Sequence, residues 1–596
     1  MSASSPLLMA GATVSFSIKV DGKAIPETVE VLSLDTWVSV NKIPKARIVA
    51  YDGSASDQNF PVSNLKTFVP GNKIEIAAGY AGKNTVIFKG VIVKQGIEIN
   101  QTEGSKLVVE ITDQAMKMTL SRKNAIYEKI KDSELIEKLI QENGLEKKVA
   151  ATNTVYEDIV QYYATDWDLM LTRAELNSFV VIVEGGKVTV AKPDTDQPPA
   201  LKVVYGESIL DLQADMDAAT QFASSAIQST TWDGAEQKLS EAGPGAVKVK
   251  EQGNLSSAEL AKVFDVKAFV QQTGAALEKS SLQDWSSAEL LKSMLSKIRG
   301  RVRFQGSAMA QTGKTIELGG LGERFNGVAF ISGVHHNISS GEWLTTVTFG
   351  LQWPWFTDEA PHISAPEASG QLPPIQGLQT GKVKQVDEDP AGEFRVLVNM
   401  PILRDESKGV WARLGTFYGS NEVGAVFYPE VGDEVIVGFM NQDPRDPVIV
   451  GSVYSKKLAP PYPPDKENKT KAIVTRSKMQ IVFNDEDIIL QIKTPKQEIT
   501  VDDKAGSIII KDSNDNSISL SDKGISFKSA KGFTLEAKED ITISGKNLTL
   551  TANENASMEG KKVAHTAQTV FSAEGKQAEV SAKTMLTLKG NPVAIN

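Results

Sequence analysis

The sequence predicts a mainly β protein with a hub of two β-barrels and helical insertions, then a second β domain, then a C-terminal rod of short strands. Apolar and polar residues alternate through most of the 596-residue chain, as is typical of half-buried strands. Two Pro-rich segments, at 357–377 and 458–469, divide the chain. Beyond them, apolar pairs recur at short, regular intervals. We therefore expect a hub region at 1–368, a second domain at 369–460 and a rod at 461–596.

The composition argues against several function classes. The formal net charge is −10 at pH 7 and the isoelectric point is about 5.3, so a broad basic surface for nucleic acid or anionic membranes is not indicated. The chain has no cysteine, which excludes disulfides, a thiolate nucleophile and cysteine-ligated metals. The N-terminus lacks a basic segment, and no apolar run approaches the roughly eighteen residues of a membrane span. We expect neither a signal peptide nor a transmembrane helix.

The hub region begins with strands and continues with helices. Five segments between residues 14 and 112 alternate apolar and polar residues: VSFSIKV, KARIVAY, KIEIAAGY, TVIFKGVIVKQ and KLVVEIT. A helix is predicted from Asp132 to near Gly144, and a second one is capped by Thr165 with Asp168 three residues later. VVIVEGGKVTVA, at 180–191, is typical of a hairpin.

The segment SSAEL occurs twice, at 256–260 and 286–290. In each copy a serine precedes a glutamate by three residues, which is a capping-box pattern. We expect one helical region near 256–280 and a second helix from Ser286 to near Gly300. Strands then resume with RVRFQG, GVAFISGV and WLTTVTFGLQW, which favours a second barrel decorated by helices.

The rod carries apolar residues in pairs at i and i+2. The regular series is Ile518/Leu520, Ile525/Phe527, Phe533/Leu535, Ile541/Ile543 and Leu548/Leu550. Each pair predicts a strand roughly 15 Å long at about 3.3 Å per residue. A strand this short cannot bury its own face, so it must stack on copies above and below it. Either one chain coils by itself, or several chains wind about a common axis.

A search for catalytic or metal-binding patterns identifies none. His335 and His336 are neighbours in a predicted strand, so they point to opposite faces and do not suit one metal ion. No HExxH, G-x-S-x-G or helix-opening GxGxxG occurs. We therefore expect no enzyme activity, no cofactor and no metal. Because carboxylates are plentiful, a cell-wall hydrolase using an acidic pair stays open, and so does a β-rod adhesin or tail fibre.

One segment resembles a known signature. FYPEVGDEVIVGFMNQDPRDPVIVGSVY, at 427–454, is similar to the OB-fold signature of VgrG-like spike proteins, found in type VI secretion, contractile phage tails and extracellular contractile particles. The order of Pro-rich link, OB unit and short-repeat rod is also similar to that family, and Gln442 departs from it by replacing a glycine. The positions that carry the likeness include Pro429, Gly432, Asp433, Glu434, Phe439, Asp443, Pro444, Pro447 and Gly451.

The resemblance implies a structural homotrimer at the tip of a contractile injection system, assembled in the bacterial cytoplasm and delivered outside the cell, or into a target cell, on contraction. Its hub would cap the hexameric inner tube and contact baseplate hub proteins, with effector cargo as a further candidate partner and no nucleic acid. The three tails would intertwine into a β-helix needle with the pairs from Ile518 to Leu550 as its core, and would puncture the target envelope. A PAAR-type tip protein would dock on Pro592, Val593, Ile595 and Asn596.

Overall fold

The computed structural model describes residues 4–9, 12–233, 236–360, 363–405 and 407–595. It is mainly β, as expected, and it divides into two compact units, Met1–Val453 and Tyr454–Asn596. Within the described ranges, no helix combines the length and hydrophobicity needed to cross a bilayer. Short 3₁₀ helices lie at Pro6–Met9, Lys66–Phe68, Gln114–Thr119, Glu367–Gly370, Pro401–Leu403 and Met440–Gln442.

The first unit begins with a run of antiparallel strands. Their bounds are β1 (Val14–Val20), β2 (Lys23–Ala24), β3 (Val31–Ser39), β4 (Lys45–Tyr51), β5 (Lys73–Tyr80), β6 (Lys83–Asn100) and β7 (Gly104–Thr112). These strands include all five segments expected to be strands between residues 14 and 112. Alternate side chains, among them Leu34, Ile48 and Ile76, are fully buried in one core.

A subdomain with two helices follows the first strands. Its elements are β8 (Arg122–Lys131), α1 (Asp132–Glu142), β9 (Glu146–Val149), β10 (Val155–Thr165), α2 (Asp166–Leu176), β11 (Val180–Glu184) and β12 (Lys187–Ala191). The predicted helices and hairpin are confirmed. Thr165 caps α2 as expected, because its hydroxyl accepts a hydrogen bond from the backbone N–H of Asp168 at 3.0 Å.

The second half of the hub region extends the sheet. Its elements are β13 (Leu201–Val204), β14 (Ile209–Met216), β15 (Ile227–Asp233), β16 (Lys238–Ala242), α3 (Ser257–Leu260), β17 (Phe269–Thr273), α4 (Lys279–Ser296), β18 (Ile298–Gln305), β19 (Thr315–Gly319), α5 (Gly322–Phe325), β20 (Gly327–Ser339), β21 (Glu342–Phe349) and α6 (Phe356–Glu359). The order β14-β18-β21-β20-β3-β4-β7-β6-β5-β1-β2, with β13 and β19 attached through β20, makes one thirteen-stranded sheet. Pairing of β20 with β3 joins its two halves, and each half has its own hydrophobic core.

The two SSAEL segments differ from the sequence prediction. Ser256 forms the expected capping box with Glu259, but α3 ends at Leu260 and β17 occupies part of the predicted helix. Ser286 does not start a helix, since α4 already begins at Lys279. Its hydroxyl instead lies 2.8 Å from the Ala242 carbonyl oxygen, to which it donates. This bond to β16 accounts for a serine buried in the middle of a helix.

A small barrel follows within the same unit. Its strands are β22 (Gln379–Gln385), β23 (Val396–Asn399), β24 (Val410–Leu414), β25 (Gly419–Ser420), β26 (Val423–Gly424), β27 (Glu434–Phe439) and β28 (Pro447–Ser452). Five of them close in the order β22-β23-β24-β28-β27, whereas β25 and β26 form a separate hairpin. The apolar stretch at 427–431 lies outside the strands.

The second unit contains an antiparallel meander. Its strands are β29 (Thr470–Val474), β30 (Gln480–Asn484), β31 (Ile489–Lys493), β32 (Gln497–Asp502), β33 (Ser507–Asp512), β34 (Ser517–Ser521) and β35 (Gly524–Lys528). Each strand pairs with the next to make one seven-stranded sheet. The described residues 529–595 have no assigned helix or strand.

Candidate functional site

The first signature turn lies directly before β27 and is hydrogen-bonded to β22 of the small barrel. Gly432 has a φ of +96°, a region that favours glycine, and its N–H donates to the Val383 carbonyl at 2.8 Å. The Asp433 carboxylate accepts the Glu430 N–H at 2.9 Å. Glu434 then opens β27. Gly432 and Asp433 therefore build a turn that positions a barrel strand.

The second signature turn joins β27 to β28. The Asp443 carboxylate accepts the backbone N–H of Arg445 at 2.9 Å and its guanidinium at 2.7 Å. Side-chain hydrogen bonds from Arg445 hold the pKa of Asp443 below its usual value. Gln442, where the family pattern has glycine, has a φ of +57°. The remaining signature residues, Phe439, Pro444, Pro447 and Gly451, lie at the end of β27, in this turn or in β28.

The barrel interior is apolar and closed. Val435, Val437 and Ile449 are fully buried beside Val396, Val398 and Ala412. The signature residues described above end strands, turn the chain or pack on this core. Gly432, Asp433 and Asp443 thus shape two turns of the barrel, and Pro429 to Glu434 lie at one of them. A structural role for the whole OB signature stays a prediction.

The second unit carries a different feature on its meander. Along one face, most side chains that pair directly across neighbouring strands are apolar and form two rows; the exceptions are Lys471, opposite Phe483, and the Gln497–Asp512 pair. We call this face the apolar ladder. It consists of Ile473, Ile481, Phe483, Leu490, Ile492, Ile499, Val501, Ile508, Ile510, Ile518, Leu520, Ile525 and Phe527.

The apolar ladder is uncovered within a single chain. Ile510 is 42 % exposed and Phe527 is 61 % exposed. On the opposite face, Gln491 donates to Glu498 at 3.0 Å, and the hydroxyl of Thr500 also donates to that carboxylate at 3.0 Å. These polar side chains therefore bond within their own chain, whereas the ladder residues stay partly exposed.

The predicted needle residues fall into two groups, one before and one after the end of β35. Ile518 pairs with Phe527, and Leu520 pairs with Ile525, so these four form the end of the apolar ladder in the expected alternation. The later residues lie in 529–595 and are all exposed: Phe533, Leu535, Ile541, Ile543, Leu548 and Leu550. Their role in a needle core stays a prediction.

The predicted tip-docking residues lie at the end of the described chain. Val593 and Ile595 are exposed, Pro592 follows Asn591 in the same exposed segment, and Asn596 lies outside the described residues. Docking of a tip protein stays a prediction.

Sequence reasoning missed most of the apolar ladder. The regular series was expected to begin at Ile518, yet one row already starts at Ile473 in β29 and the other at Phe483 in β30. The available signal was the alternation in ITV, at 499–501. It was obscured because Val482, Ile489 and Ile509 place apolar residues on the opposite face as well.

The buried acids of the first unit hold its structure together. Asp132 accepts the Arg173 guanidinium, with the Nη2 atom at 3.0 Å, and Asp166 accepts Lys123 Nζ at 2.6 Å. Glu289 accepts the indole N–H groups of Trp353 and Trp355, each at 2.7 Å. Burial raises the pKa of Glu289, and these two hydrogen bonds oppose the rise. Such fully engaged carboxylates are typical of structural networks.

The histidines are distributed as the strand alternation predicts. His335 is partly exposed and its Nε2 lies 2.9 Å from an Asp35 oxygen, whereas His336 is buried. Over the described ranges, no cluster of three or more histidine and acidic side chains is arranged to hold a metal ion.

Family models match both the hub region and the small barrel. The model of the Alg8 N-terminal domain family matches residues 10–340, which is more than half of the chain. The chain belongs to this family.

A second model, described as the type VI secretion system/phage-baseplate injector OB domain, matches residues 379–454. It covers the five-stranded barrel and both signature turns, so the resemblance to VgrG-like spike proteins is confirmed.

Two relatives carry spike names. The type VI secretion system spike protein VgrG5 of Pseudomonas aeruginosa is 31 % identical over 131 residues, covering 20 % of this chain and 15 % of that protein. The spike protein VgrG3 of Vibrio cholerae is 37 % identical over 81 residues, covering 13 % of this chain and 8 % of that protein. The aligned segments thus span less than a fifth of either relative.

Solved structures of similar proteins are distant. The Escherichia coli c3393 protein, a component of the type VI secretion system, has a TM-score of 0.36 and 14 % identity over 73 % of this chain and 99 % of its own. The Francisella PdpA–VgrG complex has a TM-score of 0.36 and 9 % identity over 87 % of this chain and 88 % of its own.

Proposed function

We propose that this protein is a structural, non-enzymatic spike that assembles as a homotrimer at the tip of the inner tube of a bacterial contractile injection system. The uncovered apolar ladder carries the proposal. Seven strands spaced about 4.8 Å apart, each about five residues long, present a face of roughly 30 by 16 Å. An exposed apolar patch of that size is often an interaction surface.

A closed assembly of three copies suits this face. A flat sheet with one apolar side can serve as one wall of a three-sided prism whose interior is shared by all three walls. Such closure buries every apolar ladder and leaves the polar faces in water. The same closure would supply partners for residues 529–595, where a lone chain has no strand pairing to offer.

A trimer of this kind suits mechanical work. A shaft with a continuous apolar interior and hydrogen-bonded walls resists bending, and shared walls remove free strand edges that would otherwise aggregate. In the proposed machine, the hub region contacts the hexameric inner tube and baseplate hub proteins, and the shaft punctures the target envelope. The particle assembles in the cytoplasm and leaves it on contraction.

The trimer is tested by the mass of the full chain in solution. Native mass spectrometry and light scattering should give three times the 64.4 kDa of one chain. A mass of one chain at micromolar concentration would contradict the proposal. Cell-wall turnover measured on the same sample should be absent; turnover that survives purification would support a hydrolase instead.

The tip contact is tested separately. Removal of residues 591–596 should abolish docking of a PAAR-type protein and leave the trimer mass unchanged, because the apolar ladder ends at Phe527. Retained docking would place the tip contact elsewhere on the shaft.

A further inference from the structure

A cavity of about 340 Å³ lies inside the first unit, away from the barrel signature. It is bounded by β6, β20, the hairpin of β11 and β12, and the segment 308–312. One water needs only about 10–15 Å³ in this measure, whereas the volume of this cavity is within the range of small-molecule sites. Its wall includes buried polar side chains and, at the mouth, exposed charged ones.

Two buried polar groups of the wall offer hydrogen-bond acceptors. Thr312 is buried, and its hydroxyl donates its only proton to the Val38 carbonyl at 3.0 Å, so its oxygen can only accept from a ligand. Asp113 is fully buried, and its oxygens accept the backbone N–H groups of Ala115 at 2.8 Å and Gly186 at 3.0 Å. Because a carboxylate has about four acceptor positions, Asp113 keeps acceptor capacity as well.

Two further carboxylates stand at the mouth of the cavity. Glu146 and Glu184 are exposed, and neither side chain makes an ion pair or hydrogen bond among the described residues. They flank Lys187, which pairs with Glu184 of β11 on one side and with Glu146 of β9 on the other. Lys89, the second ammonium group of the wall, is already paired with Glu75 at 3.1 Å. The carboxylates of the wall therefore outnumber its ammonium groups.

The buried part of the wall supplies no positive charge to offset these carboxylates. Burial raises the pKa of Asp113, and the groups that oppose the rise are backbone N–H groups, whereas a nearby cation would lower this pKa. His336 also lines the cavity, but burial lowers its pKa to about 3, so its ring is uncharged at neutral pH. The cavity thus combines a negative charge with acceptors that lack donors.

We propose that this cavity binds a small alkylammonium ion. The N–H groups of the ion donate to the oxygens of Thr312 and Asp113, and the carboxylates at the mouth attract its charge. Its methylene groups lie against the apolar part of the wall, which includes Val38, Phe88 and Val334. This binding site lies outside the proposed spike function and does not depend on it.

The test compares two probes of nearly identical shape on the full-length protein. Butylamine is protonated at neutral pH, and butanol has a neutral hydroxyl in place of the ammonium group. Isothermal titration calorimetry should show that butylamine binds about tenfold more tightly, because hydrogen bonds from a charged donor are the stronger ones. Glu184→Gln should weaken butylamine about twofold to fivefold, as expected for an exposed charge, and should leave butanol unchanged. Glu128→Gln, at an exposed acid of β8 outside the cavity, makes the same change in net charge and should have no effect.

A second variant separates the cavity from general attraction of cations to an acidic protein. Ala310 is buried and lines the cavity, so Ala310→Leu fills it and should abolish binding of butylamine. Failure of the wild-type protein to bind butylamine at millimolar concentration would overturn the proposal. So would equal affinities for butylamine and butanol, equal effects of Glu184→Gln and Glu128→Gln, or binding that survives in folded Ala310→Leu. Because binding is measured directly, none of these outcomes bears on the trimer.

Discussion

Val437 in the small barrel and Ile510 in the meander are both strand residues with apolar neighbours, yet Val437 is fully buried and Ile510 is 42 % exposed. The barrel closes β22, β23, β24, β28 and β27 on themselves, so every inward side chain meets another from the same chain. The meander is an open sheet in which each strand pairs only with its sequence neighbours. Its apolar side faces no other layer among the described residues.

The difference shows which part of the molecule is complete by itself. A barrel of five strands can bury its interior without help, whereas a single seven-stranded sheet cannot. The barrel should therefore respond to mutation as an independent folding core, and the meander should respond as an interface.

The largest effect is expected from a charge placed on the apolar ladder. Ile510→Lys puts a cation into the proposed shared interior, where three copies would bring unpaired charges together. We expect loss of the trimer by native mass spectrometry. Ile509→Lys is the matched control, because Ile509 is 39 % exposed but lies on the opposite face. Equal trimer populations in the two variants would contradict the assignment of the ladder as an interface.

A smaller effect is expected from a cavity in the barrel. Ile449→Ala should lower the free energy of unfolding by about 2–5 kcal/mol, because Ile449 is fully buried in the barrel core. Since this core belongs to one chain, the thermal shift should not change with protein concentration, whereas variants of the apolar ladder should become less stable on dilution. Val450→Ala, at a 56 % exposed neighbour, should have little effect. A concentration-dependent shift for Ile449→Ala would place the barrel core at an interface too.

The same contrast explains what the sequence could and could not predict. Strand alternation, the Thr165 cap and the barrel signature depend on local patterns, and all three are confirmed in the fold. The predicted helix start at Ser286 was wrong, because a local capping pattern cannot show that this serine hydrogen-bonds to β16. The cavity beside His336 was beyond prediction, since its wall combines residues from distant strands. What covers the apolar ladder also depends on other molecules, which no local pattern specifies.

Acid should affect the barrel more than the meander. Side-chain hydrogen bonds from Arg395 hold the pKa of Asp389 well below 3.8, and the pKa values of Asp405 and Asp443 are also lowered. A lowered pKa in the folded state contributes stability that is fully present above about pH 3.8 and is lost as the pH falls below it. The unfolding midpoint of the barrel should decline between about pH 4 and about pH 2.5, at and below the ordinary carboxyl pKa. We expect Asp389→Asn to make this decline less steep.

The control for the acid experiment lies two residues away. Asp387 is exposed and its side chain has no hydrogen bond among the described contacts, so Asp387→Asn should leave the decline unchanged. An unaltered decline in Asp389→Asn would mean that the Arg395 contact does not set the acid sensitivity.

The smallest effect is expected in the second turn of the barrel signature. Gln442 stands at the glycine position of the pattern with a φ of +57°, and its Oε1 atom is buried without a partner among the described residues. A side chain in the left-handed region costs about 1–2 kcal/mol, and an unsatisfied buried oxygen adds a cost of about 1–3 kcal/mol. Glycine would remove both costs but would gain about 0.5–1 kcal/mol of entropy in the unfolded chain. Gln442→Gly should therefore raise the free energy of unfolding by at least about 1 kcal/mol. Asn441→Gly, at φ +50°, should gain less, because asparagine tolerates this region. If Gln442→Gly instead lowers the unfolding midpoint, the glutamine side chain stabilises the barrel through a contact that only the assembled trimer provides, and the barrel would no longer be complete by itself.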